Sequence, residues 1–140
     1  MIDIDGTLSA TIHNPGHADL MVQPWAASAM VLDAPPGLGN DFFGTCDYGD
    51  NMWSADLNQS NSTNGVSELV LTEQNKSGSA QAQVTAIGVT YTGSCSIAPN
   101  DGDHTHDFSV ALDCTALTAL GDPRTLDVSA ALKVTNCTGQ

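Results

Sequence analysis

Apolar and polar residues alternate along the first stretch of the chain, as they do in a strand that buries one face. Ile2, Ile4, Leu8, Ala10 and Ile12 fall on one side of such a strand, and acidic or hydroxyl residues fall mainly on the other. A weaker period-two pattern recurs through the middle of the chain. It predicts further strands at 19–23, 27–32, 52–57 and 66–72, with a loop or edge strand at 41–50.

The last third of the chain has the clearest alternation. It predicts three consecutive strands at 82–97, 107–114 and 124–136, with loops at 98–106 and 115–123. Consecutive strands of this kind pair as an antiparallel meander. Their apolar sides should lie in the core, and these residues are predicted to be buried: Ile87, Val89, Phe108, Val110, Leu112, Leu126, Val128 and Leu132.

Together these segments make about eight short strands, separated by residues that favour turns. In a chain of 140 residues, this pattern predicts a single all-β domain over 1–140. The expected fold is an antiparallel β-sandwich or a jelly-roll-like domain that ends in the three-stranded meander. Glu, Lys and Arg, which are common on exposed helix faces, are scarce, and this supports the all-β interpretation.

The charge balance excludes one class of partner. The chain has 16 acidic residues against three basic ones, for a formal net charge of −13. Because affinity for phosphate backbones comes from Lys and Arg, we expect no nucleic acid as a partner. The chain has no apolar run of the length that spans a bilayer, so we expect no membrane insertion either. An acidic surface attracts cations and basic partners instead.

The cysteines are Cys46, Cys95, Cys114 and Cys137, an even number at wide separations. This spacing favours disulfides over zinc and so an extracellular or surface location, although the residues after Met1 do not form a secretory signal. We therefore expect that a natural signal or anchor segment has been removed. The alternative is a protein made inside the cell, such as a virion component, with free thiols. A turn centred near Asp101 would put Cys95 opposite Phe108, so the predicted pairs are Cys46–Cys95 and Cys114–Cys137.

The densest polar cluster lies in the 98–106 loop and is the candidate metal site. Asp101 and Asp103 flank a glycine and offer oxygen ligands for calcium. His104 and His106 are two residues apart, a spacing that suits zinc, copper or nickel. The competing interpretation is a solvated hairpin tip, in which water and salt screen the carboxylates. We expect no resident cofactor, with calcium as the alternative.

A second acidic segment, with a tryptophan beside it, is the candidate ligand site. Asp47 and Asp50 are close in sequence to Trp53. An aromatic ring can stack on a sugar face while carboxylates accept hydrogen bonds from its hydroxyls, so this set predicts a carbohydrate site. Packing of Trp53 in the core is the alternative.

The sequence predicts a protein that is not an enzyme. It has no G-x-S-x-G segment, and the histidines all fall in predicted loops, so a nucleophile and a base cannot be paired. The leading hypothesis is an extracellular or particle-surface structural or adhesive module, whose partners are other protein subunits or surface components. The first alternative is a module that binds calcium or carbohydrate through the Asp-rich loops, and the second is a small hydrolase with an unrecognised site.

Overall fold

The computed structural model describes residues 3–31, 42–48, 52–59, 65–74, 78–97, 108–135 and 138–139. Within them the chain forms only strands, separated by short turns. The strands are β1 (Asp3–His13), β2 (Leu20–Val31), β3 (Phe42–Tyr48), β4 (Met52–Gln59), β5 (Val66–Gln74), β6 (Ser79–Ala86), β7 (Val89–Ile97), β8 (Phe108–Ala119), β9 (Asp122–Thr135) and β10 (Thr138–Gly139). Over these ranges, no helix has the length and apolar character that a membrane crossing requires.

All ten strands belong to one sheet, in the order β10-β3-β4-β5-β6-β7-β8-β9-β1-β2. Strands β3 to β9 form an antiparallel meander. Strand β1 then pairs with β9 along its whole length, from Asp3 opposite Thr135 to His13 opposite Thr125. We call this β1–β9 pairing the closure, because it joins the N-terminal hairpin to the end of the meander. The two-residue β10 pairs in parallel with β3 at the edge of the sheet.

The sheet curls until strands far apart in its order meet. Strand β2 contacts β5 and β3, Gln23 forms an isolated bridge with Gly65, and the Trp25 Nε1–H donates to the Val66 carbonyl at 2.9 Å. We call this region the seam. The result is a curled sheet, a half-barrel, so the predicted sandwich or jelly roll is wrong for the described part of the chain. Alternation specifies which face of each strand is buried, but it leaves open whether the strands make one sheet or two.

The concave face of the curled sheet holds the core. Inward residues alternate with exposed ones, most clearly along β6, where Ala80, Ala82, Val84 and Ala86 are all buried. The largest fully buried side chains are Trp25, Tyr91, Leu8, Ile12, Leu57, Leu69, Leu71, Leu112 and Leu117. Each large apolar side chain contributes about 1.5–3 kcal/mol when fully buried. The prediction of burial is confirmed for Val110, Leu112, Leu126, Val128 and Leu132, whereas Ile87 and Val89 are only partly buried and the side chain of Phe108 lies outside the described set.

The predicted strand at 82–97 is in fact the end of one strand, a turn and the next strand. Ala86 pairs with Val89, and the two residues between them form a tight hairpin loop. Ile87 has φ +48° and Gly88 has φ +77°, and positive φ at both central residues is what a type I′ turn requires. A branched residue rarely adopts this conformation, so the sequence signal for the turn was reduced to a single glycine.

Two segments that were predicted to separate strands are themselves parts of strands. Strand β2 continues past Pro24, which lies in a bulge: Trp25 pairs with Leu8 and Val22 with Ala10, so the proline's missing N–H falls where the regular ladder is interrupted. Strand β8 continues into the predicted 115–123 loop as far as Ala119, past a bulge between Cys114 and Leu117. Ala116 in the bulge has φ +57°, so the bulge reverses the alternation that the sequence analysis followed.

The predicted disulfide pairing is wrong. Cys95 on β7 lies directly opposite Cys114 on β8, and the two form a disulfide with a Cα–Cα distance of 4.3 Å. The adjacent pairs, Ser96 with Asp113 and Ile97 with Leu112, show that the register differs from that of a turn centred on Asp101. Cys46 is buried and also disulfide-bonded. Cys137 lies outside the described residues.

Candidate functional site

The outer, solvent-facing side of β7, β8, β9 and β1 carries a shallow depression of about 600 Å³. Register places four polar residues in one row across it, which we call the hydroxyl row: Ser96 is opposite Asp113, Asp113 opposite Ser129, and Ser129 opposite Ser9. Thr7, Ala111 and Ala131 line the next row. Because all these side chains are short, the backbone of the sheet lies close to the surface there.

Within the described part of the chain, two of the three hydroxyls of this row, those of Ser9 and Ser96, make only long bonds. Ser9 Oγ lies 3.5 Å from the Ser129 carbonyl oxygen, and Ser96 Oγ lies 3.4 Å from the Asp113 carbonyl oxygen. Both distances exceed those of good O–H···O bonds. The hydroxyls can therefore turn toward a bound molecule at little cost, and Asp113 adds a carboxylate acceptor. This arrangement suits a polar, hydrogen-bonding surface.

A second polar cluster lies at one end of the closure. His13, the last residue of β1, has Nδ1 2.9 Å from Asp19 Oδ1 and Nε2 2.8 Å from Asp127 Oδ2. Asp127 Oδ1 also accepts the Ala116 backbone N–H at 2.8 Å. The bonds to Asp19 and Asp127 raise the pKa of His13. The Ala116 N–H, followed by His13, lowers the pKa of Asp127, despite an opposing effect of burial. We call the arrangement of Asp19, His13 and Asp127 the His13 bridge.

The start of β9 holds an ion pair between neighbours in sequence. Arg124 Nη2 lies 2.6 Å from Asp122 Oδ2, and Arg124 Nε contacts both Asp122 oxygens. The Arg124 side chain, with its backbone N–H second, lowers the pKa of Asp122 to about 2. Tyr91 is fully buried near this pair, and its hydroxyl has no hydrogen-bond partner among the described residues. Burial raises the pKa of Tyr91.

Two carboxyl groups lie close together on β4 and β5. Burial, and then the neighbouring Asp56, raise the pKa of Glu68. Asn58 Nδ2 donates to Asp56 Oδ1 at 3.0 Å, so one oxygen of the Asp56 carboxylate has a local hydrogen-bond donor. Within the described ranges, no group of three or more His, Cys, Asp and Glu side chains is arranged to hold a metal ion.

Only some of the site residues predicted from the sequence lie within the described part of the chain. Asp101, Asp103, His104 and His106 lie outside the described residues, so the metal site stays a prediction. Hairpin β3–β4 places Asp47 opposite Ser54 and Trp53 opposite Tyr48, so these residues are close along the ladder. Asp50 and the side chains of Asp47 and Trp53 lie outside the described set, and the carbohydrate site also stays a prediction.

The comparisons of this chain with protein-family models, with curated proteins and with solved structures give no match.

Neither the hydroxyl row nor the His13 bridge was predicted from the sequence. The hydroxyl row depends on the β1–β9 and β8–β9 registers, which bring together residues more than a hundred positions apart in the chain, such as Ser9 and Ser129. His13 was placed in a turn, although it ends β1. Its position at the start of the short 14–19 connection, with Asp19 at the other end, was a usable signal. Its contact with Asp127 required knowledge of the closure.

Proposed function

We propose that the protein is a non-enzymatic module at a cell or particle surface, with a structural or adhesive role, that associates with other protein subunits through its outer sheet face. The observation that carries the proposal is the depression over β7, β8, β9 and β1. Its short side chains let another surface approach the sheet closely. Its weakly engaged hydroxyls can replace water as hydrogen-bond partners of that surface.

The cysteine chemistry supports an extracellular location. Cys95 and Cys114 are joined across neighbouring strands, and Cys46 is disulfide-bonded as well. Disulfides persist in oxidising compartments and are rare in a reducing cytosol. The net charge of −13 adds solubility and favours partners that carry basic residues.

Sedimentation velocity over a concentration series tests the subunit role. The wild-type protein is expected to self-associate as its concentration rises. Ala131→Arg puts a long charged side chain into the depression and should abolish the association. Gln83→Arg is the matched control, because it adds the same side chain at an exposed position on β6, outside the depression. A protein that stays monomeric throughout, or an equal effect of the two variants, would contradict the proposed assembly face.

The same depression favours a second candidate, a carbohydrate-binding module. A row of three hydroxyls and one carboxylate can exchange hydrogen bonds with the hydroxyls of a sugar. This site would be distinct from the one predicted at Asp47, Asp50 and Trp53. Glycan-array binding that is lost in Ala131→Arg but kept in Gln83→Arg would favour this candidate over the subunit role.

A further inference from the structure

The geometry of the His13 bridge determines which protonation state of the imidazole it requires. Both ring nitrogens of His13 lie within 2.9 Å of a carboxylate oxygen. A neutral imidazole has one N–H and one lone pair, so it can donate to only one of these carboxylates. Both bonds form together only when the ring carries two protons and a positive charge.

The two arms of the bridge are not equivalent. Asp127 is held from two sides, since its second oxygen accepts the Ala116 N–H at 2.8 Å. Asp19 is more exposed and belongs to the turn between β1 and β2. When His13 loses a proton, the remaining N–H is best used toward the fixed Asp127. The lone pair on Nδ1 then faces the Asp19 carboxylate, and the two repel each other.

We propose that the His13 bridge is a proton-dependent latch, which holds the 14–19 turn against the end of the closure while the imidazole is charged and releases it when the imidazole is neutral. Strands β2 and β9 pack against β1 on either side. The charged or titratable groups that face His13 from them and from the turn are Asp19 and Asp127. His17, in the same turn, is exposed, and Arg124, two residues past the β9 strand's start, is bound to Asp122.

The latch affects the mobility of the exposed apolar pair Leu20 and Met21. Next to Asp19, Leu20 and Met21 are two of the three exposed large apolar residues among those described. A loosened turn would give this apolar pair more freedom. The pKa of His13 is raised in the folded protein, so the contribution of the bridge is complete below the ordinary histidine value of 6.5 and is lost as pH rises through the folded value.

Nuclear magnetic resonance of the labelled protein tests the latch. The ring nitrogen shifts of His13 follow its titration, and backbone order parameters of residues 14–19 follow the turn. In the wild-type protein the turn should be ordered at pH 5.5 and more mobile at pH 8.5, with the change centred on the His13 titration. His17→Gln is the matched control and should behave like the wild type.

Two variants separate the latch from a general effect of pH. His13→Gln removes the ring, so the turn should be mobile at both pH values. Asp19→Asn should remove the pH dependence in another way, since an amide can accept from an N–H or donate to a lone pair. A turn equally ordered at both pH values in the wild type would overturn the proposal, as would a pH-dependent change that persists in His13→Gln or in Asp19→Asn.

Discussion

The curled sheet comes together at two places, the closure and the seam, and they are built differently. At the closure, β1 and β9 share a continuous ladder with no register shift from Asp3 to His13. At the seam, β2 contacts β5 and β3, and these contacts include a backbone bridge of Gln23 with Gly65, just before β5, and a side-chain bond from Trp25 to Val66. A continuous backbone ladder therefore joins the sheet at the closure, whereas the seam has an isolated backbone bridge and the buried Trp25 side chain. The closure should be sensitive to backbone geometry, and the seam to one indole.

Gly6→Ala should give the largest effect, because Gly6 lies within the closure, opposite Leu132 of β9. A Cβ there would be 2.0 Å from the Ala131 carbonyl oxygen, and the residue has φ +135°. Backbone strain and the clash together should cost roughly 4 kcal/mol or more of unfolding free energy, measured by urea denaturation. Gly16→Ala is the control: it also has a positive φ, +78°, but open space around it, so it should cost about 1–2 kcal/mol. Equal losses in the two variants would mean that β1 and β9 do not approach this closely.

Loss of the Cys95–Cys114 disulfide should have the next largest effect. The bond closes a loop with a sequence separation of 19, and the double variant Cys95→Ala/Cys114→Ala should lose about 3 kcal/mol by the chain-entropy argument. Non-reducing peptide mapping should recover Cys95 joined to Cys114. Since Cys46 is also bonded and the sequence holds four cysteines, the second linked pair is expected to be Cys46 with Cys137. A Cys46–Cys95 peptide would contradict the β7–β8 register.

Trp25→Phe probes the seam. It keeps an aromatic ring but removes the donor to the Val66 carbonyl, in a residue that is 1% exposed. Leaving that buried carbonyl without its partner should cost about 1–3 kcal/mol. Tyr91→Phe is a matched deletion of a buried polar atom. The Tyr91 hydroxyl has no described partner, so its loss should change stability by about zero or increase it slightly. If Tyr91→Phe costs as much stability as Trp25→Phe, the bond from Trp25 to the Val66 carbonyl does not stabilise the seam.

The ion pair at the start of β9 should give the smallest effect, and one that depends on pH. The pKa of Asp122 is lowered to about 2, so its stabilising contribution is present above its usual value of 3.8 and is lost as pH falls through about 2. Asp122→Asn should therefore melt at a lower temperature than the wild type at pH 5, and the difference should disappear below about pH 2. The measurement is a calorimetric melting series, and a constant difference at all pH values would contradict the assignment.

Much of the secondary structure could be predicted, because alternation records which face of a strand is buried. It identified β1, β5 and the pairing of the last strands, and five of the eight residues expected in the core are buried. It failed where the backbone departs from regular geometry. The positive φ of Ile87 concealed a hairpin, and that of Ala116 concealed a bulge. Neither residue type signals such a conformation.

The tertiary arrangement was less predictable, for a different reason. Nothing in the alternation of β1 specifies that its partner is β9, and this pairing distinguishes one curled sheet from a sandwich. The hydroxyl row and the His13 bridge both depend on it. Ser9 and His13 looked like the polar side of a strand and a turn residue until the closure brought Ser129 and Asp127 beside them.

The most direct test of the closure is the set of cross-strand nuclear Overhauser effects between β1 and β9. The register pairs Leu8 with Ala130, Ala10 with Val128 and Ile12 with Leu126. Contacts between Hα protons of non-hydrogen-bonded pairs, and between amide protons of hydrogen-bonded pairs, should therefore appear along the whole of β1 in an unbroken antiparallel series. That result would establish the single curled sheet. A β1 strand that shows no such contacts with β9, and pairs only with β2, would contradict it.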